Sequence, residues 1–267
     1  MLDFQLKDCY DMQDLLSIMR LLRAPGGCPW DAEQTHESIR KNLIEETYEV
    51  IEAIDKNDKE LMCEELGDLL MQVVFHAQME DEAGTFDFNN VTDGVCKKLI
   101  ERHPHIFGKV KVSGVDDVLT NWDAIKRKTK GQKTTGDSML SVPRELPALM
   151  RATKLQKKAA DVGFDWNDVS GALDKVTEET AELRAAIENK DSVNMAEELG
   201  DILFSVVNVS RFIKVDAEEA LTAASDKFLA RFVEVEKLAK ERGIDMKEAS
   251  LEELDALWDE VKIKNRI

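Results

Sequence analysis

The sequence predicts an all-α protein made of two tandem copies of one helical unit. Three observations predict it. Long stretches are rich in Glu, Lys, Leu, Ala and Asp, the residues of helix interiors. Glycine and proline are sparse, 13 and 5 in 267 residues, and sustained β-branched alternation is absent. Finally, the chain repeats itself. Glu64-Glu65-Leu66-Gly67-Asp68-Leu69-Leu70 recurs as Glu197-Glu198-Leu199-Gly200-Asp201-Ile202-Leu203, a shift of 133 residues. The same shift carries Glu45, Glu46 and Glu49 onto Glu178, Glu179 and Glu182.

Taken in order, a first helix is expected over 11–23, ending before Ala24-Pro25-Gly26-Gly27. Four main helices follow in the first copy, over 38–56, 59–83, 91–103 and 116–129. Thr129 to Pro147 holds Gly131, Gly136, Pro143 and Pro147 among polar residues, the chemistry of a loop. The expected organisation is therefore a first repeat over 1–128, a linker over 129–147 and a second repeat over 148–267. Helices of the second copy are expected over 170–189, 191–213, 216–242 and 250–265. Asp216 with Glu219, and Ser250 with Glu253, have capping-box spacing, and Gly243 is a natural stop. Beyond the acids the order of residues persists: Lys98, Arg102, Trp122 and Lys126 are answered by Lys227, Arg231, Trp258 and Lys262. Trp30 precedes the first acid cluster and Trp166 the second.

Composition narrows the function. A formal charge of -18 repels nucleic-acid backbones and anionic lipid, since phosphate binding needs local positive charge. No nucleic-acid or membrane partner is expected, and no apolar segment is long enough to span a bilayer. Cys9, Cys28, Cys63 and Cys96 form no CxxC pair; reduced, buried thiols are expected. With no basic and apolar leader at the N-terminus, a cytoplasmic location is expected.

The acids carry the chemistry. In the first helix of the hairpin Leu43, Ile44, Thr47, Val50, Ile51 and Ile54 are expected to form the buried stripe. At about 100° per residue Glu46 and Glu49 fall beside it, whereas Glu45 turns toward solvent. In the second helix the stripe is Met62, Leu66, Leu69, Leu70 and Val73; Glu65 and Asp68 fall beside it and Glu64 points away. Asn57 is the midpoint of both Glu49/Glu65 and Glu46/Asp68, and Lys190 of both Glu182/Glu198 and Glu179/Asp201. Hairpins closing at these two residues bring four carboxylates together in each copy. Such groups repel unless a cation lies among them. Oxygen-only ligands suit magnesium, with manganese as a substitute. The metal candidates are therefore Glu46, Glu49, Glu65 and Asp68, and Glu179, Glu182, Glu198 and Asp201. Lys98, Arg102 and Trp122, with Lys227, Arg231 and Trp258, are candidate triphosphate and base contacts.

The sequence resembles the MazG family of nucleoside triphosphate pyrophosphohydrolases in its two-repeat form. The resemblance rests on Gly27-Cys28-Pro29-Trp30-Asp31 with Gln34-Thr35, on the EExxE of Glu45 to Glu49, and on the ExxD of Glu65 to Asp68. It extends through Arg102-His103-Pro104-His105-Ile106-Phe107-Gly108, Leu146-Pro147-Ala148-Leu149 and Val162-Gly163-Phe164-Asp165-Trp166. It implies an all-α NTP-pyrophosphatase fold of two four-helix repeats completed by homodimerisation, and hydrolysis of NTPs to NMPs and pyrophosphate. It also implies a more competent C-terminal copy, with Glu179, Glu182, Glu198 and Asp201 catalytic and holding magnesium. Lys175, Lys227, Arg231 and Trp258 would contact substrate. The Lys175 position is Asn42 in the first copy, and a further family lysine is Asn194 here.

Two other classes compete. A carboxylate-bridged iron or manganese bundle would want Glu-x-x-His ligands, and none of the four histidines has Glu three residues before it. A non-catalytic nucleotide-binding or dimerisation module is the stronger rival, above all for the first copy. The absence of GxxxxGK[ST] excludes a P-loop mechanism.

Overall fold

The computed structural model describes residues 4–129 and 131–264, and every helix or strand assigned among them is helical. Two compact units divide the chain, Met1–Lys126 and Arg127–Ile267. The first contains α1 (Met12–Arg23), α2 (Pro29–Glu33), α3 (Arg40–Asp55), α4 (Lys59–Ala83), α5 (Phe88–Arg102), α6 (Pro104–Phe107) and most of α7 (Val115–Thr129). The second contains α8 (Thr135–Leu140), α9 (Ala148–Ala160), α10 (Val169–Glu188), α11 (Ser192–Phe212), α12 (Ala217–Glu241) and α13 (Leu251–Lys264). The main helices of each copy start and stop within a few residues of expectation; residue 265, the expected end of the last, lies outside the described residues. Ser250 and Glu253 form the expected reciprocal cap, and Asp216 accepts from the amides of Glu218 and Glu219.

The segment 129–147 is more than a linker. Its loop-like composition conceals α8, started by a capping box in which Thr134 and Asp137 satisfy each other's amides. Ser138 and Val142 are buried, and α8 packs on α9 within the second unit. The cysteines also depart from expectation. All four are free, but Cys9, Cys63 and Cys96 are exposed and Cys28 is half-buried.

The core of each unit is an antiparallel helical hairpin, α3 with α4 and α10 with α11. The expected apolar stripe of α3 is packed only in part, at the half-buried Leu43 and Val50. Ile44, Ile51 and Ile54 remain 54%, 43% and 56% exposed, while Ala53 is fully buried. The face turned to α4 instead follows Ile39, Asn42, Glu46, Val50 and Ala53, at helical spacings of three and four. On α4, Leu66 and Leu70 are likewise exposed, whereas Gln72, Phe75 and Met79 are buried. Helix-wheel reasoning assumes that the most apolar stripe meets the nearest partner. Here small and acidic residues form the hairpin seam, and Ile44, Ile51 and Ile54 stay exposed among the described residues.

Both hairpins turn where the carboxylate midpoints place the turn. Asn57 and Lys190 adopt left-handed conformations, with φ of 52° and 55°. At the first, the Asn57 and Asp58 amides donate to the carbonyls of Ile54 and Ala53; at the second, Lys190 and Asp191 donate to Ile187 and Ala186. This is the paired closure of a helix C-terminus. Asp58 and Asp191 then cap the following helix by accepting from its first-turn amides. Lysine occupies this conformation at a cost that glycine does not incur. Lys190→Gly should therefore raise thermal stability, by about 1–2 kcal/mol at most, whereas the β-branched Lys190→Ile should lower it, both read by thermal unfolding followed by circular dichroism.

Candidate metal and nucleotide site

The hairpins bring three carboxylates of each quartet into one small volume. Glu46, Glu49 and Glu65 offer ligand oxygens that all lie within 4.8 Å of one another, and so do Glu179, Glu182 and Glu198. Asp68 and Asp201 fall outside these tight groups. Each is still near enough for its charge to act on the others, Asp68 on Glu46 and Asp201 on Glu198. Glu45, Glu64, Glu178 and Glu197 face solvent, as the helical wheel requires for the outer members.

The electrostatics reflect crowding. Burial raises the carboxyl pKa of Glu46, helped by Asp68 and Glu49. Burial raises Glu65 also, with Glu49 next in weight. In the second copy Glu182 is pushed up by its hydrogen bond with Glu179 and by burial. Glu198 is pushed up by burial and by Glu182. Glu179, 4% exposed, is the exception. The Lys175 ammonium lies 2.5 Å from its carboxylate and 3.0 Å from Glu178, and holds Glu179 below the ordinary range. Asn42 carries no such charge, so the equivalent Glu46 shifts the opposite way.

Glu46 has a neutral partner instead. Gln72 Nε2 donates to Glu46 Oε1 at 3.3 Å, while the buried Gln72 Oε1 has no protein partner. Sequence reasoning missed Gln72, although it lies one turn beyond Asp68 on the same face of α4. Its counterpart in the second copy is Ser205. A cluster of hard oxygen donors drawn from two helices fits a divalent cation such as magnesium.

The basic and aromatic candidates form separate clusters. Arg102 lies over the Trp122 ring at 5.3 Å and Lys126 lies over it at 5.5 Å. Arg231 lies over Trp258 at 6.0 Å, and Phe228 packs on that ring at 5.2 Å. Lys98 and Lys227 are exposed. Of all the cationic candidates, Lys175 alone is seen in contact with an acid of the quartet.

The raised carboxyls set a pH dependence. A group whose pKa is higher in the folded chain contributes stability that is present below its unfolded pKa and lost as pH rises through the folded value. Without divalent metal, wild-type protein should therefore lose stability relative to Glu65→Gln as pH climbs above the ordinary carboxylate range. Thermal melts in chelator across that range measure the gap, which added magnesium should narrow.

Comparison with known proteins fits this arrangement. The model of the MazG nucleotide pyrophosphohydrolase domain matches twice, over residues 34–107 and 168–236. Each match contains one acid quartet. A nucleoside triphosphate pyrophosphohydrolase of Escherichia coli is 45% identical over 253 residues, covering 93% of this chain and 95% of its own length. The nucleoside triphosphate pyrophosphohydrolase/pyrophosphatase MazG of Thermotoga maritima is 45% identical over 250 residues, 94% of this chain and 95% of its own. The uncharacterized protein YabN of Bacillus subtilis is 49% identical over 260 residues, 96% of this chain but 53% of its own length. With both repeats matched and relatives aligned almost end to end, the chain belongs to the MazG nucleotide pyrophosphohydrolase family.

Proposed function

We propose that this nucleoside triphosphate pyrophosphohydrolase works with magnesium and does its chemistry chiefly in the C-terminal repeat, releasing NMP and pyrophosphate. The observation that carries the assignment to that repeat is Lys175, which neutralises the buried Glu179 where the first copy has Asn42. Glu179, Glu182, Glu198 and Asp201 would hold the metal. A magnesium ion there would supply a Lewis acid that polarises phosphate oxygens and activates water. A carboxylate oxygen of the quartet not used as a ligand would take the proton of the attacking water. Water oxygen bonds to phosphorus on either side of the α–β bridging oxygen. The bond between that same phosphorus and the bridging oxygen breaks, and the bridging oxygen leaves with the electron pair. Lys175, with Lys227 and Arg231, would neutralise charge growing on pyrophosphate, and Trp258 would contact the substrate.

The N-terminal repeat fits a second reading, a nucleotide-binding or dimerisation module with little turnover. Asn42 leaves the half-buried Glu46 without the cation that Lys175 gives Glu179. Homodimerisation follows the family resemblance and is supported by uncovered apolar residues in both units, Ile44, Tyr48 and Ile51 on α3, Leu199, Leu203 and Val206 on α11. Among the described residues no helix is long and apolar enough to cross a membrane. We place the protein in the cytoplasm, with nucleoside triphosphates as ligands and no nucleic-acid partner at a charge of -18.

Glu179→Gln should abolish most pyrophosphate release from NTP and magnesium while the protein stays helical; Glu46→Gln should retain most of it. Full activity in Glu179→Gln would reassign the active copy, and orthophosphate as sole product would indicate a different bond. Analytical ultracentrifugation should give twice the chain mass, and a sedimenting monomer at assay concentration would remove the dimer.

A further inference from the structure

The first unit holds a pair of histidines outside its acid quartet. His36, between α2 and α3, and His76, on α4, meet at their Nδ1 atoms, 2.7 Å apart, with ring planes only 5° from parallel. That separation is too short for face-to-face stacking, so the rings share a hydrogen bond edge to edge. We propose that this pair is a proton-operated latch. It docks the 34–39 connector on α4 while the rings share one proton, and opens when acid gives each ring its own.

Proton accounting gives the latch its two states. Glu80 Oε1 lies 2.7 Å from His36 Nε2, and Thr85 Oγ1 donates to the other Glu80 oxygen. These bonds, Thr85 first and His36 second, hold the Glu80 carboxyl below its ordinary range. An ionised carboxylate only accepts, so His36 Nε2 carries a hydrogen. The proton between the two Nδ1 atoms can then belong to either ring, with the other accepting. A further proton on the accepting nitrogen sets two N–H groups against each other at 2.7 Å, where neither finds an acceptor. His76 has no second outlet, because its Nε2 is buried without a protein partner. Burial, and then His36, keep its pKa below the ordinary 6.5. Charging this ring requires the connector to move aside.

What the latch holds follows from the start of α3. That helix begins at Arg40 without a capping side chain, Ile39 standing at its N-cap. Docking of the connector, not a cap, therefore fixes the first turn. Arg23 bonds the carbonyls of Asp31 and Gln34 at one end of the connector. Ile39 is buried with Met19, Val74 and Phe75 at the other. His36 is the polar anchor between them. Opening it loosens residues 35–43 while both ends stay tied. The second copy has no such latch, since the 133-residue shift turns His76 and Glu80 into Val209 and Ile213.

The charged groups on the elements around the pair are carboxylates, arginines and lysines, which do not change charge near neutrality. On α4, Asp81 and Glu82 pair with Arg20 and Arg23 of α1. On the connector, Glu37 is held below the ordinary carboxylate range by its own backbone amide and Thr35, and feels His36 and Arg40 of α3. On α5, Asp87 caps the helix and Asp93 pairs with Lys97. The other two histidines lie together at the α5–α6 junction, His103 against the Leu99 carbonyl. A base whose pKa is depressed by folding contributes stability present above its ordinary value and lost as pH falls through the folded one. The latch therefore weakens below pH 6.5, while Glu80 stays ionised.

The test is hydrogen exchange on the full-length protein between about pH 7.5 and about pH 5, the range in which histidine titrates, corrected for intrinsic rates. Protection across residues 35–43 should fall by up to about tenfold per pH unit once below the histidine range, the slope for one proton taken up on opening. Residues 168–176 of the second copy should keep theirs. His36→Gln and His76→Gln, which hydrogen-bond but do not titrate, should hold protection of 35–43 flat. Protection that is flat in wild type, or that falls as steeply in both variants, would overturn the proposal. If the variants fail to fold, side-chain nitrogen NMR of wild type decides. Both rings should turn cationic together with the loss of protection; two cationic rings beside a connector that is still protected would refute the latch.

Discussion

Everything about this protein turns on carboxylates placed in the seam of a helical hairpin. Seam positions at spacings of three and four are where antiparallel helices bury apolar side chains. Glu46, Glu65, Glu179 and Glu198 occupy them instead, and burial pushes three of these four carboxyls toward protonation. Like charges at this density oppose the very packing that gathers them. A divalent cation among them, as proposed for the C-terminal repeat, would relieve that repulsion. The turn at each hairpin, held by a left-handed residue and a paired closure, keeps the opposing acids at matching heights.

That constraint explains why some of the structure was legible in the sequence and some was not. The midpoints of the acid pairs identified Asn57 and Lys190 as turning residues, because a hairpin must place paired ligands symmetrically about its turn. The inner and outer members of each Glu-Glu pair were also legible, since helical phase alone decides them. The packed stripe was not. Ile44, Ile51 and Ile54 outscore Ala53 and Glu46 in hydrophobicity, yet seam geometry favours small residues beside the acids. The isoleucines stay exposed among the described residues. Likewise α8 was hidden by Gly131, Gly136 and Pro143, which read as loop even though Thr134 and Asp137 carry a capping signal.

Duplication followed by divergence accounts for the difference between the two sites. Each copy keeps the acids, the turn and the capping aspartate. What changed is the set of residues around them. Lys175 balances Glu179, whereas Glu46 has only Gln72 and rises in pKa. One or two turns further along, the first copy closes its core with Phe75, while the second presents Asn208 and leaves a cleft.

A site that must bind a highly charged triphosphate on a protein of charge -18 cannot depend on long-range attraction. Binding has to be assembled from short-range terms: a metal held by the seam, a few cations brought by neighbouring elements, and contacts to the uncharged part of the ligand. A water-exposed salt bridge contributes little, whereas an aromatic stack and a hydrogen bond to a buried acceptor keep their strength on an acidic surface. Contacts to the uncharged part of the nucleotide would therefore do for affinity what a basic surface does in other phosphate-binding proteins.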